Sequence, residues 1–332
     1  MKQKLKAIAS PLKFLVAFAL IYWLVDRGLL NFDLIQKALQ PEYLFVGVLL
    51  LGFNIFIVTV RWWVLLRGRG LNLSLREAVP LQFIGMFFNF ALPGSVSGDL
   101  VKGYILVKEN PNKKMAAAST VLMDRVIGLY AMIFLALAGA AFHLDIVFSN
   151  KPLLAFVVIV VSIFSGITVF LAMALSKTVR GFKGTDLLLK KLPFGGFVEK
   201  VYDTIHSYRS SLKAVAQAFV LSVLAHMSIV VLFYVVGFAL NEETVGLGAY
   251  FFSVPLGLAV TAIPIAPAGI GVGQEAMLRL FAIFTGSQLK VGPTGATVFQ
   301  VLLLGWSMLG ALFYVKRKRQ VAPVLTESEL TP

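Results

Sequence analysis

Two acid–base pairs stand where this chain interrupts its own apolar runs. In the segment Ala91-Leu-Pro-Gly-Ser-Val-Ser-Gly-Asp-Leu-Val-Lys102, Asp99 precedes Lys102 by three residues. In the segment from Pro264 to Arg279, Glu275 precedes Arg279 by four. On a helix those spacings place acid and base on one face. Asp124 and Arg125 are adjacent, so they point apart and must find different partners, and Arg61 adds a further base. A charge within a membrane helix costs several kcal/mol, so it needs a partner and usually has a task. The bases suit the holding of an anionic group such as a phosphate, and the acids suit proton transfer or the orienting of those bases. Both pairs follow a Pro/Gly break, Pro93-Gly94 with Gly98 in the first and Pro267 with Gly269, Gly271 and Gly273 in the second. A helix that restarts there has free N–H groups and a positive dipole end, which attract either the chain's own carboxylate or a ligand anion. The glycines permit positive φ and close backbone approach. That freedom serves a phosphate cradle or the packing of a hairpin tip, and the residues leave both open.

Other chemistries lack their residues. No Gly-x-x-x-x-Gly-Lys-[Ser/Thr] loop, no His-Glu-x-x-His and no cluster with metal-ligand spacing occurs. Gly94-Ser-Val-Ser-Gly98 has Val96 where a nucleophile elbow needs serine. The Gly269-x-Gly271-x-Gly273 run follows no strand, so it is not a dinucleotide fingerprint. The expectation is a chain with no cofactor, no metal and no enzymatic activity of its own. Asn54, Gln82, Asn89, Gln217, Gln274 and Gln300 are polar residues that bond either a headgroup or neighbouring helices. His226, in mid-span, is a packing histidine or a proton relay.

The elements that carry these residues are transmembrane helices. Of the 332 residues 58% are hydrophobic and 14% charged, with mean hydropathy +0.86, whereas soluble domains average about 25% charged residues. The apolar runs are too long for barrel strands. Full spans are predicted at 14–31, 43–66, 116–142, 152–175, 214–240 and 292–315, each near the roughly 20 residues a bilayer requires. Two interrupted runs, 78–107 and 247–286, read as re-entrant helical hairpins. The fold class is therefore all-α, a polytopic membrane protein with a single membrane domain. Its first half (1–150) holds one hairpin and its second (151–315) the other, and the tail 316–332 is expected to be unstructured. Lys and Arg concentrate in alternate loops, 22 of the 30 falling on one side and only Arg27, Lys37, Lys151 and Lys290 on the other. By the positive-inside rule both termini are cytoplasmic. The two hairpins then enter from opposite sides, as inverted repeats do. The basic segment 176–213 is expected along the cytoplasmic surface. Cysteine is absent, so there is no disulfide framework.

Arg61-Trp62 with Leu65-Leu66, Leu92-Pro93-Gly94 with Gly98-Asp99 and Lys102, Asp124-Arg125 with Gly128, and Pro267-x-Gly269-x-Gly271 with Glu275 occur in this order over residues 10–315. The pattern resembles the flippase-like membrane domain of lysylphosphatidylglycerol synthases, a family also found as stand-alone membrane proteins. The chain departs from it in two places. Lys102 stands where the family commonly has arginine, and Gln274 where a basic residue precedes the glutamate, with Arg279 as a substitute. The aminoacyl-transferase domain of the full-length synthases has no counterpart here, so the resemblance implies lipid handling without lipid synthesis.

The expected function is translocation of a phospholipid or modified anionic lipid in the bacterial inner membrane. Arg61, Lys102, Arg125 and Arg279 attract the headgroup, Asp99 and Glu275 orient those bases or bind the positive part of a zwitterionic or aminoacylated headgroup, and Asp99, Asp124 or Glu275 carry protons if transport is proton-coupled. The expected partners are membrane lipids with anionic headgroups, a second copy or a lipid-modifying enzyme, and no nucleic acid. An ion-coupled carrier of a small solute, a membrane enzyme or a scaffold acting on lipid-linked substrates are the alternatives.

Overall fold

The computed structural model describes residues 18–19, 21–23, 25–26, 31–91, 97–176, 195–242, 245–263 and 266–328. Among them there are helices and no strands: α1 (Phe32–Ala38), α2 (Pro41–Gly68), α3 (Leu75–Ala91), α4 (Ser97–Glu109), a 3-10 turn (Pro111–Lys113), α5 (Lys114–Ala141), α6 (Leu144–Ser149), α7 (Lys151–Leu175), α8 (Gly195–His206), α9 (Leu212–Ala239), α10 (Leu247–Thr261), a second 3-10 turn (Pro267–Gly269), α11 (Val272–Thr285) and α12 (Val291–Ser328). Five stretches are long and apolar enough to cross a bilayer: Pro41–Gly68, Pro111–Ala141, Lys151–Leu175, Leu212–Ala239 and Val291–Arg317. They fall on five of the six spans expected from the sequence, and the chain is a multi-pass membrane protein. The sixth expected span, 14–31, lies mostly outside the described residues. Of its described part, Ile21 and Trp23 pack against Leu278 of α11. Residues 177–194 of the basic segment also lie outside.

The tail departs from expectation. α12 continues through Lys316–Arg319 to Ser328, where the sequence reading ends the ordered chain at 315. Lys, Arg and Gln carry good helix propensity, and Pro323 within the same run removes one helix hydrogen bond.

Both interrupted runs are helical hairpins. α3 packs on α4 and α10 packs on α11. The two ends of the first hairpin are held together at its base, where Lys113 Nζ donates to the Gly70 carbonyl at 2.6 Å. Further in, its helices touch backbone to backbone: a Cβ on Gly98 would lie 1.7 Å from the Gly85 carbonyl oxygen. Asn89 Oδ1 accepts from the Gly98 amide at 2.8 Å, so α3 caps the first turn of its partner, supplying what a helix start otherwise lacks. In the second break the backbone turns through the left-handed region at Ala268 (φ 50°), Gly269 (φ 69°) and Gly271 (φ 80°). Gly269 and Gly273 both press on Thr261, with ideal Cβ positions 2.6 and 2.8 Å from its side chain. Here the glycines serve close packing as well as the turn.

The hairpins share their supports. α4 and α10 pack on α5, while α3 and α11 pack on α12. The α3 helix also reaches the Pro267–Gly269 turn, so the first hairpin meets the break of the second. Small residues allow these contacts. Gly139 of α5 sits under Phe251 of α10, and Gly310 of α12 under the Phe83 carbonyl of α3. Where lipid tails are as apolar as leucine, such close van der Waals contact, rather than exclusion of water, drives helix association.

The Gly85–Gly98 contact generates a prediction. Gly98→Ala forces the hairpin apart and lowers stability by at least the 1–3 kcal/mol typical of overpacking, read as a fall in Tm in detergent. Gly166→Ala, which meets nothing within 4 Å, leaves Tm unchanged or raises it, since alanine is the better helix former.

Candidate functional site

Five of the seven charged residues singled out in the sequence converge on one cluster where α2, α4 and α5 meet. Arg61 of α2 donates from Nε to Asp124 Oδ1 at 2.8 Å and from Nη1 to Ser222 Oγ at 3.2 Å. Lys102 of α4 stands between the two acids, 3.4 Å from Asp99 Oδ1 and 3.9 Å from Asp124 Oδ2. Arg125 Nε donates to Asp99 Oδ2. As their adjacency requires, Asp124 and Arg125 point to different partners. Each of the four carboxylate oxygens in the cluster faces a cation.

Lys102 is 1% exposed, and an ammonium so deeply buried needs every donor engaged. Besides the acids it donates to Gln82 Oε1 at 3.1 Å and lies 4.4 Å from the centre of the Trp62 ring, a cation–π contact. Trp62 is held in turn by its indole N–H donating to Thr120 Oγ1 at 3.3 Å. Gly128 gives Arg61 room, since a Cβ there would come within 3.2 Å of Nη1. His226 makes its ring contact at 3.2 Å with the Gly128 carbonyl and so packs beside the cluster. Trp62, Ser222 and Thr120 are the partners the sequence did not assign, and Gln82 takes the helix-bonding alternative it was given. Arg61-Trp62 adjacency was visible, but nothing in it shows Trp62 facing residue 102.

Arg125 differs from the rest. Its side chain is 39% exposed, on the face that also carries exposed Leu129 one turn on. The terminal guanidinium nitrogens hydrogen-bond no described residue, because the one bond made is through Nε. Arg125 lies eleven residues into the 28-residue α5, about 16 Å along it at 1.5 Å per residue. With three bases and two acids, the cluster carries one uncompensated positive charge.

The other two charged residues stand apart. Glu275 and Arg279 pair with each other through Nε of the arginine, as their spacing requires. The Arg279 side chain is 71% exposed, and Glu275 Oε2 is buried without a hydrogen-bond partner. Gln274, in the place of a base, is structural. Its Oε1 accepts from the Gly271 amide at 2.8 Å, and its Nε2 donates to Gln300 Oε1 at 2.8 Å and Thr297 Oγ1 at 3.1 Å. These bonds tie the second hairpin to α12.

Of the break residues, Gly98, Gly269 and Gly273 take the packing roles described above, and Gly271 turns the backbone at positive φ. Pro93 and Gly94 lie outside the described residues, and Pro267 opens the second 3-10 turn. A cavity of about 830 Å³ lies where the hairpins approach α12, lined by Phe90, Ile270, Gln274, Thr297, Gln300, Val301 and Leu304 and by Ile21, Val25, Asn31, Phe32 and Ile35. Its wall is apolar apart from Asn31, Gln274, Thr297 and Gln300.

Residues 11–311 match the family described as the lysylphosphatidylglycerol synthase TM region. The chain is 22% identical over 318 residues to a UPF0104 membrane protein of Methanothermobacter thermautotrophicus, covering 90% of each. It is 22% identical to a UPF0104 membrane protein of Pyrococcus horikoshii, covering 90% of this chain and 93% of that one. A UPF0104 membrane protein of Methanocaldococcus jannaschii is 23% identical over 85% of this chain and 87% of its own. No solved structure matches. The chain belongs to the lysylphosphatidylglycerol synthase transmembrane family.

The cluster generates a prediction of unequal costs. Asp124→Ala strands Arg61 and part of the Lys102 contact in the interior and costs about 3–5 kcal/mol, as removal of one partner of a buried pair does. Arg125→Gln removes a partly exposed base and leaves Asp99 its contact with Lys102, so it costs less than Asp124→Ala. Thermal unfolding of both variants in detergent checks this, and equal losses would contradict the assignment of Asp124 as the interior member.

Proposed function

We propose that this member of the family is a lipid translocase, carrying a phospholipid or modified anionic lipid between the leaflets of its membrane. One observation carries the reading: a buried ion cluster with an excess positive charge presents a partly exposed arginine on a face that also carries exposed Leu129. An uncompensated charge within a membrane-spanning helix is costly unless it has a ligand or a polar path. A lipid satisfies it by placing its headgroup at the cluster while its acyl tails stay in the bilayer. A soluble solute would need an enclosed site, which the partly exposed Arg125 beside exposed Leu129 does not favour.

In this reading the headgroup is drawn by Arg61, Lys102 and Arg125, and Arg279 attracts it from the second hairpin. Asp99 and Glu275 hold Arg125 and Arg279 in place through Nε and leave their outer nitrogens for the ligand. The hairpins enter from opposite sides as re-entrant, inverted elements, and translocation is the rocking of one half against the other about the point where they meet. The movement is downhill or is coupled to protons through Asp99, Asp124 or Glu275. The protein acts as a carrier rather than an enzyme, with both termini cytoplasmic, in the cytoplasmic membrane, which in a bacterium is the inner one. Its partners are membrane lipids with anionic headgroups, and a second copy or a lipid-modifying enzyme that supplies the lipid.

The test is leaflet exchange of fluorescent lipids in liposomes containing the purified protein, read by dithionite quenching. Exchange well above protein-free vesicles is expected, with Asp99→Asn and Glu275→Gln each reducing it by about tenfold or more, the loss of one charge-assisted hydrogen bond. If both variants exchange lipid like the parent protein, the acids have no part in transport. If no lipid is exchanged by folded protein, the translocase reading fails.

A further inference from the structure

The three acids singled out within the apolar segments are not equivalent. Resting on the translocase reading above, we propose that Glu275 is the proton-binding site of the carrier, and that one proton crosses with each lipid headgroup in the same direction. Glu275 lies in the first turn of α11. Its Oε1 accepts from Arg279 Nε. Its Oε2 is buried and has no hydrogen-bond partner. The Gly271 amide, at the start of the same helix, is already given to Gln274 Oε1. Pro264 and Ile265, the break residues outside the described chain, have no side-chain donor. A buried carboxylate oxygen left without a donor carries the desolvation cost of its charge. A proton on Oε2 removes that charge and displaces nothing. Asp99 and Asp124 differ, since both oxygens of each face a cation, and a proton there must displace one.

Arg279 links the proton to the lipid. Its side chain is 71% exposed, so a headgroup phosphate can reach it, and guanidinium is well suited to phosphate. That phosphate places a second anion beside the cation that pairs with Glu275. Two anions against one guanidinium leave one negative charge in excess, and a proton on Glu275 removes it. The phosphate thus favours the proton, and by linkage the proton favours the phosphate to the same degree. The two load and leave together. Only the phosphodiester enters this balance, so it holds for headgroups with or without an ammonium group. The other ionisable groups near α11 leave the balance alone. α11 packs on α7, α10 and α12, and its Leu278 meets Ile21, Trp23 and Ile35. α7 offers Lys151 at its first residue, and α12 has nothing ionisable before Tyr314. α10 offers Tyr250, which lies against Phe281, and His143 lies against Phe284, both well past Glu275 along α11. Tyr22 and Asp26 stand beside Trp23, and Asp33 and Lys37 belong to α1. Among the described residues the one ion pair Glu275 makes is with Arg279.

The experiment imposes a pH step of one unit across proteoliposomes carrying acyl-labelled phosphatidylglycerol, with the voltage clamped at zero by potassium and valinomycin. Dithionite then reads the share of the lipid in the outer leaflet at steady state. Movement of one proton with each lipid draws the lipid toward the more alkaline side, whichever way the protein is inserted. The limit is about tenfold between leaflets, the factor that one pH unit represents. A protonophore is expected to abolish the asymmetry while exchange continues. Glu275→Gln, which holds the site neutral, is expected to exchange slowly and to an even distribution under the same step. In the parent protein a hydrophobic carbodiimide, which modifies protonated membrane carboxyls, is expected to label Glu275, faster at lower pH, and neither Asp99 nor Asp124, as read by peptide mass. Labelled glycerophosphoglycerol, a water-soluble phosphodiester, is offered in a separate arm. Lipid exchange to an even distribution under the pH step would overturn the proton coupling and leave lipid translocation intact. Asymmetry that persists in Glu275→Gln, or carbodiimide labelling of Asp99 or Asp124 in place of Glu275, would overturn the assignment. Uptake of the soluble phosphodiester with no lipid exchange, or folded protein that moves neither, would overturn the translocase reading instead. If Glu275→Gln fails to fold, the carbodiimide labelling and the pH response of the parent protein decide the matter.

Discussion

The arrangement depends on burying five charges together inside an apolar helical bundle. No member of the cluster is tolerable alone at that depth, since an isolated ion in a low-dielectric interior costs far more than any single contact returns. Arg61, Lys102 and Asp124 become acceptable because each is bonded by the others. Those bonds require α2, α4 and α5 to meet at one point. The ion cluster thus specifies which helices are neighbours, a matter that a uniformly greasy bundle leaves weakly determined. It fixes the register of the first hairpin as well: Lys102 reaches both acids only when α4 is set against α5 as it is.

The hairpin geometry follows from a second constraint. Both hairpins are made of helices too short to span comfortably, and their breaks need backbone groups satisfied without water. The chain answers with local side-chain caps: Asn89 on the Gly98 amide and Gln274 on the Gly271 amide. Glycine at the closest approaches, Gly85 against Gly98 and Gly269 against Thr261, lets the helices come near enough for those caps to reach. The hairpins are then clamped to the same two long helices, α5 and α12, which makes those helices the natural axis for any relative movement of the halves.

Much of this was legible in the sequence. Five spans, the two interrupted runs and the Asp99–Lys102 and Glu275–Arg279 pairs follow from run length and i,i+3 or i,i+4 spacing alone, and the opposite directions of Asp124 and Arg125 follow from their adjacency. What was not legible is the choice among distant partners. Nothing local says that Arg61 meets Asp124, that Arg125 rather than only Lys102 takes Asp99, or that Trp62 lies against Lys102, because these contacts are set by helix packing across as many as 63 positions of separation. The sequence also treated Arg61, Lys102, Arg125 and Arg279 as equivalent bases. Burial separates them: Lys102 is sealed, Arg125 stands at the rim, and Arg279 is held apart with Glu275. Gln274 shows the same limit from the other side, since the sequence left it either a headgroup or neighbouring helices to bond, and its bonds are made to its own hairpin and α12.

The central claim is that the rim of the cluster at Arg125 opens on a polar path. The chain contains no cysteine, so a single cysteine introduced at Leu129, one turn from Arg125 on the same face, can be probed without background in proteoliposomes with a charged, membrane-impermeant thiol reagent. The account predicts labelling at that position, slowed when anionic lipid is abundant, and none at a Val158→Cys control on the apolar face of α7. Absence of labelling at 129 in folded protein, under conditions that label a loop cysteine, would mean that Arg125 faces hydrocarbon and that the cluster serves only to hold the helices together.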